Sequence, residues 1–196
     1  TEAYLTHGME DYFEPAIHIR HNDYNSSLLL KYVDHSSNNT GNGINETVIT
    51  LKDDKYPVTV KLHYVAYDKE NIIRTFTEIS HEEKKPVILS KYASSMLHLN
   101  SSKYFLTEFS GDWAHEANVT ERELAFGKKV IDTKLGARAN MFVSPFFQLA
   151  LDNPSQENAG EVLVGTIGWT GNFRFTFEVD NKNELRIISG INPYDS

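Results

Sequence analysis

Hydrophobic and polar residues alternate with a period of two along most of this chain. The clearest case is residues 58–67, which follow Pro57, a residue tolerated at a strand start because its missing N–H is not needed there. Residues 71–79 repeat the pattern after a short polar segment, so the two segments are predicted to form a hairpin. Further strands are predicted at 16–20, 28–33, 47–52, 86–92, 96–99, 104–109, 146–151, 162–169, 173–179 and 184–188.

Helical periodicity is almost absent. Residues 118–126 are the one helix candidate, with Thr120 as a cap, but Gly127 follows so closely that a short turn is an equal alternative. Residues 34–45 are rich in Ser, Asn and Gly and are predicted to be a long surface loop inside one domain. Regular short strands with polar turns predict an all-β fold, a large antiparallel sandwich formed by a single domain over residues 1–196.

Composition narrows the possible functions. A hydrophobic content of 40% supports a packed core, and a net charge of −8 without a basic block argues against a nucleic-acid partner. The chain has no cysteine, so neither a disulfide nor a thiolate metal site is expected. That favours a cytoplasmic protein but leaves the compartment open. No apolar run approaches the roughly 18 residues of a membrane helix, so no membrane partner is expected.

Signatures of catalysis and of cofactor binding are missing. No Gly-rich stretch joins a strand to a helix, and no Gly-x-Ser-x-Gly elbow occurs. The eight histidines are scattered, and most acidic residues fall in predicted turns or on outward strand positions. We therefore expect no metal and no cofactor in this chain, while composition leaves a Ser-His-Asp triad open.

The two tryptophans are the strongest candidates for a functional site. Aromatic faces stack on the C–H faces of sugars, although a core position is the alternative for each tryptophan. Trp113 lies between Asp112 and Glu116, polar neighbours that favour an interface or the edge of a cleft. Trp169 precedes Gly171 and Asn172, which suit a tight bend. These five residues are the candidates for a substrate rim or an interface.

Motifs in a fixed order reveal a family resemblance. They are Gly-Asp-Trp-Ala-His-Glu at 111–116, Gly-Glu-Val at 160–162, Trp-Thr-Gly-Asn-Phe at 169–173 and Gly-Ile-Asn-Pro-Tyr at 190–194, preceded by Gly-Met-Glu-Asp-Tyr-Phe-Glu-Pro-Ala at 8–16. Together they resemble the N-terminal β-domain of family 36 glycoside hydrolases, the microbial α-galactosidase type. The resemblance spans nearly the whole chain. Two departures stand out. The family's usual Ser-Arg-Arg-Gly-x-Ser-Ser-His run is Thr-Lys-Leu-Gly-Ala-Arg-Ala-Asn at 133–140, and the usual Arg after Trp-Ala is His115.

The resemblance implies a β-supersandwich of the galactose mutarotase-like type. It also implies that two catalytic aspartates lie on a (β/α)₈ barrel outside this chain, so that the chain alone is inactive. Its expected partners are that barrel, an α-galactoside sugar and further copies of the enzyme in a homo-oligomer. Its expected place is packed on the barrel, at the active-site rim of a retaining α-galactosidase.

Three alternatives remain open: an independent carbohydrate-binding module, the N-terminal domain of an α-N-acetylgalactosaminidase, and a β-sandwich enzyme in its own right. An exposed apolar strip favours the supporting domain. A compact aromatic groove favours the module, and a polar cleft with perturbed carboxylates favours the independent enzyme.

Overall fold

The computed structural model describes residues 2–8 and 12–193, which form fourteen β-strands and one 3₁₀ turn. The all-β class predicted from the two-residue period is confirmed. The described residues group into two compact units whose boundary lies between Ser95 and Met96. That the whole chain folds as one domain stays a prediction. Two of the motif runs reach beyond the described residues, at positions 9–11 and at Tyr194.

The first unit contains six strands in two antiparallel sheets. Strands β2 to β5 form a four-stranded meander, and β1 pairs with β6. The core of this unit includes Tyr4, whose hydroxyl donates to the carbonyl of Ala93 at 2.7 Å, and burial raises the pKa of this tyrosine to about 12. The six strands are β1 (Ile17–Arg20), β2 (Leu30–Gly41), β3 (Ile44–Asp53), β4 (Val58–Tyr67), β5 (Ile72–His81) and β6 (Ile88–Tyr92).

The predicted loop at 34–45 is wrong, because β2 and β3 continue through it and pair along its length. The two strands meet at a tight turn in which Asn42 and Gly43 both have positive φ, +57° and +80°. An Asn-Gly pair with positive φ at both positions is the commonest two-residue hairpin turn. The Ser and Asn side chains that suggested a loop are exposed on β2, which is an edge strand of its sheet.

The second unit is a two-layer sandwich. One sheet has the order β10-β13-β14-β7 and the other β12-β11-β8-β9. Phe147 on β11 meets Phe175 and Phe177 on β13 edge-on, with ring centroids 5.2 and 4.9 Å apart, so the core lies between the sheets. The eight strands are β7 (Ser95–Asn100), β8 (Tyr104–Ser110), β9 (Asn118–Glu123), β10 (Gly127–Asp132), β11 (Val143–Gln156), β12 (Ala159–Thr166), β13 (Phe173–Val179) and β14 (Glu184–Ile191).

Three features of this unit differ from what the sequence predicts. Residues 118–123 form strand β9 on the edge of a sheet, paired with β8, and are neither a helix nor a simple turn. Strand β10 was not predicted at all. Both are edge strands with few buried side chains, so neither shows a strong apolar alternation. The strand predicted at 162–169 is observed three residues earlier, as Ala159–Thr166.

Candidate functional site

A tight turn at residues 111–117 carries Trp113. The backbone N–H groups of Asp112 and His115 each donate to the other residue's carbonyl, at 3.2 and 2.9 Å. Ala114 and Ala117 have φ values of +60° and +56°, a conformation that alanine adopts only when its surroundings impose it. These contacts fix the turn locally.

The two acidic neighbours of Trp113 help to hold this turn. The backbone N–H of Trp113 donates to Oδ1 of Asp112 at 2.7 Å, and that of Ala114 donates to Oε1 of Glu116 at 3.2 Å. The indole itself is 87% exposed, so Trp113 lies outside the core. The turn therefore presents a large apolar side chain to the surface on a fixed backbone.

Trp169 lines a small pocket of about 230 Å³ beyond the end of β12. Its indole packs over Gly171, and a Cβ at position 171 would lie 2.7 Å from Nε1, so a larger residue there would require the indole to shift. The pocket is lined by Ala137, Ala139, Asn140, Pro145, Trp169, Thr170, Gly171 and Phe173.

Asn172 is buried and joins the two walls of this pocket. Its Oδ1 accepts a hydrogen bond of 2.7 Å from the backbone N–H of Gly136, at the start of the 3₁₀ turn. Its backbone carbonyl accepts from the N–H of Asn192 at 3.1 Å, and the Asn192 side chain donates to the carbonyl of Thr133 at 3.2 Å. Asn172 is thus a positioning residue that fixes the bend at 169–172 against the 3₁₀ turn.

The segment 135–145 connects the two tryptophan sites. Its residue Phe142 accepts a 2.9 Å hydrogen bond from the N–H of Gly111, at the base of the Trp113 turn. Two residues earlier, Asn140 lines the Trp169 pocket. The turn that carries Trp113 and the pocket that Trp169 lines therefore both contact this segment, and three of its apolar side chains are also exposed. We call Trp113, Leu135, Met141, Phe142 and Trp169 the 113–169 surface.

Only the two tryptophans of this surface are evident from the sequence. The other three, Leu135, Met141 and Phe142, lie at least 18 residues from both the Trp113 turn and the Trp169 bend. One signal was available: Met141 and Phe142 are adjacent large apolar residues just before a strand, and adjacent side chains cannot both face the same core.

A larger groove, of about 520 Å³, occurs in the first unit between the segment 2–4 and strands β2 and β3. Its lining mixes aliphatic and aromatic side chains with a few polar ones and includes Tyr32, whose hydroxyl lies 2.7 Å from Nδ1 of His35. None of the five candidate residues is among those that line it.

Two other kinds of site are absent from residues 2–8 and 12–193. No group of three or more His, Cys, Asp or Glu side chains is arranged to hold a metal ion. No helix within these residues is long and apolar enough to cross a membrane.

The sequence matches the model of the glycosyl hydrolase family 36 N-terminal domain over residues 1–196. The chain belongs to this family. Alpha-galactosidase 2 of Pediococcus pentosaceus is 29% identical over a match that covers 97% of this chain and 28% of that protein. The chain thus spans a little over a quarter of that relative and corresponds to the N-terminal domain of a larger enzyme.

Solved structures agree with this assignment. The crystal structure of the family 36 α-galactosidase AgaA from Geobacillus stearothermophilus matches with a TM-score of 0.88 at 25% identity, over 98% of this chain and 29% of AgaA. A variant of AgaA has been solved in complex with raffinose. The β-supersandwich expected from the resemblance is confirmed.

Proposed function

We propose that this domain supports the catalytic barrel of an α-galactosidase that hydrolyses terminal α-galactosides. The observation that carries the proposal is the family assignment over the whole chain, together with relatives named as α-galactosidases. In this proposal the domain supplies no catalytic group. It packs through the 113–169 surface on the barrel or on a neighbouring copy, near the sugar site.

The exposed side chains of the 113–169 surface support a docking function. Burying a tryptophan removes roughly 150–250 Å² from water, which at about 25 cal/mol per Å² is worth on the order of 4 kcal/mol before the costs of association. Trp113 is the most exposed member, and tryptophan is enriched among residues that dominate binding energy at interfaces.

The rigidity of the Trp113 turn supports the same proposal. Association loses free energy when flexible side chains and loops must become ordered. Here the backbone on both sides of the tryptophan is already held by hydrogen bonds to Asp112 and Glu116. Docking would therefore order few additional groups.

The proposal is tested with the full-length enzyme and with this chain alone. We expect the full-length protein to cleave an aryl α-galactoside and the isolated chain to be inactive, because the two aspartates that the family uses lie outside it. The same assay with an aryl α-N-acetylgalactosaminide distinguishes the alternative specificity. Turnover by the isolated chain that is lost when one of its carboxylates is mutated would show an independent enzyme instead.

The docking surface is tested by Trp113→Ala in the full-length enzyme. We expect weaker assembly or a higher KM, with an unchanged circular dichroism spectrum of the isolated domain. Phe126→Ala is the matched control, because Phe126 is 75% exposed and lies outside the 113–169 surface. Equal effects of the two substitutions would contradict the interface assignment.

A further inference from the structure

We infer that the Trp169 pocket is a subsite for a neutral sugar ring of the substrate other than the terminal galactose. The inference rests on the proposed function. It concerns binding only, and no bond is made or broken in this pocket.

Among the residues that the structure describes, none of those lining the pocket carries a charge. Trp169 contributes an aromatic wall, while Asn140 and Thr170 contribute an amide and a hydroxyl. A sugar ring has an apolar C–H face that can stack on an indole, and hydroxyl groups that pair with amides and hydroxyls. An ionic ligand would be left without a counter-charge in such a pocket, which disfavours its binding. The chemistry of the lining therefore suits an uncharged carbohydrate.

The volume of the pocket limits the size of its ligand. Sites for drug-sized ligands measure roughly 300–1,000 Å³, and one water occupies about 30 Å³ of the liquid. The pocket, at about 230 Å³, holds the equivalent of roughly eight waters. It therefore fits one ring lying against Trp169, and a longer oligosaccharide would extend out of it.

One wall of the pocket is held in place by a hydrogen bond. On the other side, Gly171 lets the Trp169 indole pack directly on the backbone, since a Cβ at position 171 would require the indole to shift. The 2.7 Å hydrogen bond from Gly136 to Asn172 holds the opposite wall in place. A wall that is already held in place lowers the ordering cost of binding a ligand.

The position of the pocket points to the part of the substrate beyond galactose. Galactose itself must reach the catalytic aspartates, which the family carries outside this domain. Raffinose, which a variant of the related AgaA binds, is a trisaccharide, so its other two rings need contacts elsewhere. The pocket borders the 113–169 surface, which we propose faces the barrel.

The test compares two substrates in the full-length enzyme. Raffinose offers rings beyond galactose, whereas methyl α-galactoside offers none. We expect Trp169→Ala to raise the KM for raffinose roughly 3- to 10-fold more than the KM for methyl α-galactoside, the scale of one aromatic stacking contact, because any loss of docking through the 113–169 surface would affect both substrates equally. Trp169→Phe, which keeps an aromatic face, should retain most of the raffinose affinity. Unchanged raffinose kinetics, or equal losses with both substrates, would overturn the subsite.

A binding measurement decides the question independently of catalysis. Sucrose, the raffinose molecule without its galactose, should give a saturation-transfer NMR signal with the wild-type protein and with Trp169→Phe, and lose it with Trp169→Ala. A full-length enzyme that cleaves neither substrate would refute the proposed function, while the sucrose signal would still report on the pocket. Absence of a sucrose signal with the wild-type protein would refute the subsite.

Discussion

Replacing Asn172 by alanine should loosen both walls of the Trp169 pocket at once. The side chain is 8% exposed, and its Oδ1 accepts the 2.7 Å hydrogen bond from the backbone N–H of Gly136. Alanine removes this acceptor and leaves the N–H of Gly136 without its partner. The adjacent bonds through Asn192 involve the backbone of residue 172, so they remain possible in the variant.

The size of the effect follows from the burial of the two partners. When a buried hydrogen-bond donor loses its acceptor, the free energy of unfolding falls by about 1–3 kcal/mol. Because Gly136 is half-buried, water can replace part of the lost bond, and we expect a loss near the lower half of that range, about 1–2 kcal/mol. In a domain of 150–250 residues, each 1 kcal/mol shifts the Tm by about 2–4 °C, so the Tm should fall by roughly 2–8 °C.

Two measurements check this prediction. Thermal denaturation of Asn172→Ala is compared with that of Asn181→Ala, which removes an exposed asparagine from the turn between β13 and β14 and should change the Tm little. Amide hydrogen exchange should become faster at Gly136 in the first variant only. A wild-type Tm together with a still-protected Gly136 amide would refute the view that Asn172 joins the two walls.

Two further predictions concern the second unit. Gly165→Ala should lower the free energy of unfolding by about 1–3 kcal/mol, because the added Cβ would lie 2.2 Å from the buried Phe147 ring. Gly168→Ala is the control: its Cβ meets nothing within 4 Å, so its stability in thermal denaturation should be nearly that of the wild type. Equal stabilities of the two variants would contradict this prediction. Burial alone would raise the pKa of Asp180, but hydrogen bonds from the backbone of Glu184 and Lys182 and from Arg186 lower it below its ordinary value. Its ionised form therefore stabilises the fold above about pH 4, and this contribution disappears as the pH falls further. Denaturant titrations at a series of pH values should show that Asp180→Asn loses less stability below about pH 4 than the wild type does. Parallel pH dependences of the two proteins would contradict this prediction.

Most of the strands could be predicted from the sequence, because a half-buried strand shows its two-residue period directly. The paired strands β4 and β5 are the clearest case, since apolar positions alternate along much of both. Edge strands gave less information. Strand β9 exposes all six residues, so its sequence carries no burial pattern that distinguishes it from a helix or a turn.

The hairpin of β2 and β3 shows a different cause of error. Its turn carries a strong local signal, the adjacent Asn42 and Gly43, but the polar composition around it suggested a loop. Composition reports which side chains prefer water, and an exposed edge strand needs the same side chains as a loop. Turn chemistry was the better guide here.

The functional surface could be predicted only in part, for a physical reason. Trp113 and Trp169 stand out because large aromatic residues beside polar and glycine residues are unusual in a core. The segment that carries Leu135, Met141 and Phe142 is linked to the Trp113 turn by a backbone hydrogen bond from Gly111 to Phe142, residues 31 positions apart. Such a contact depends on how strands pair across the sheet, and periodicity does not encode it.

The geometry of the pocket shows where the departures from the family pattern at 133–140 lie. The glycine that is kept, Gly136, is the residue whose N–H bonds to Asn172, and its φ of +60° is one that glycine adopts without strain. The changed positions include Ala139 and Asn140, which line the pocket where the family's usual run has Ser and His. The glycine whose N–H bonds to Asn172 is thus retained, while the side chains that line the pocket differ. A neutral sugar subsite inferred for this chain therefore does not extend automatically to relatives, because a histidine at position 140 would add a group that titrates near neutral pH.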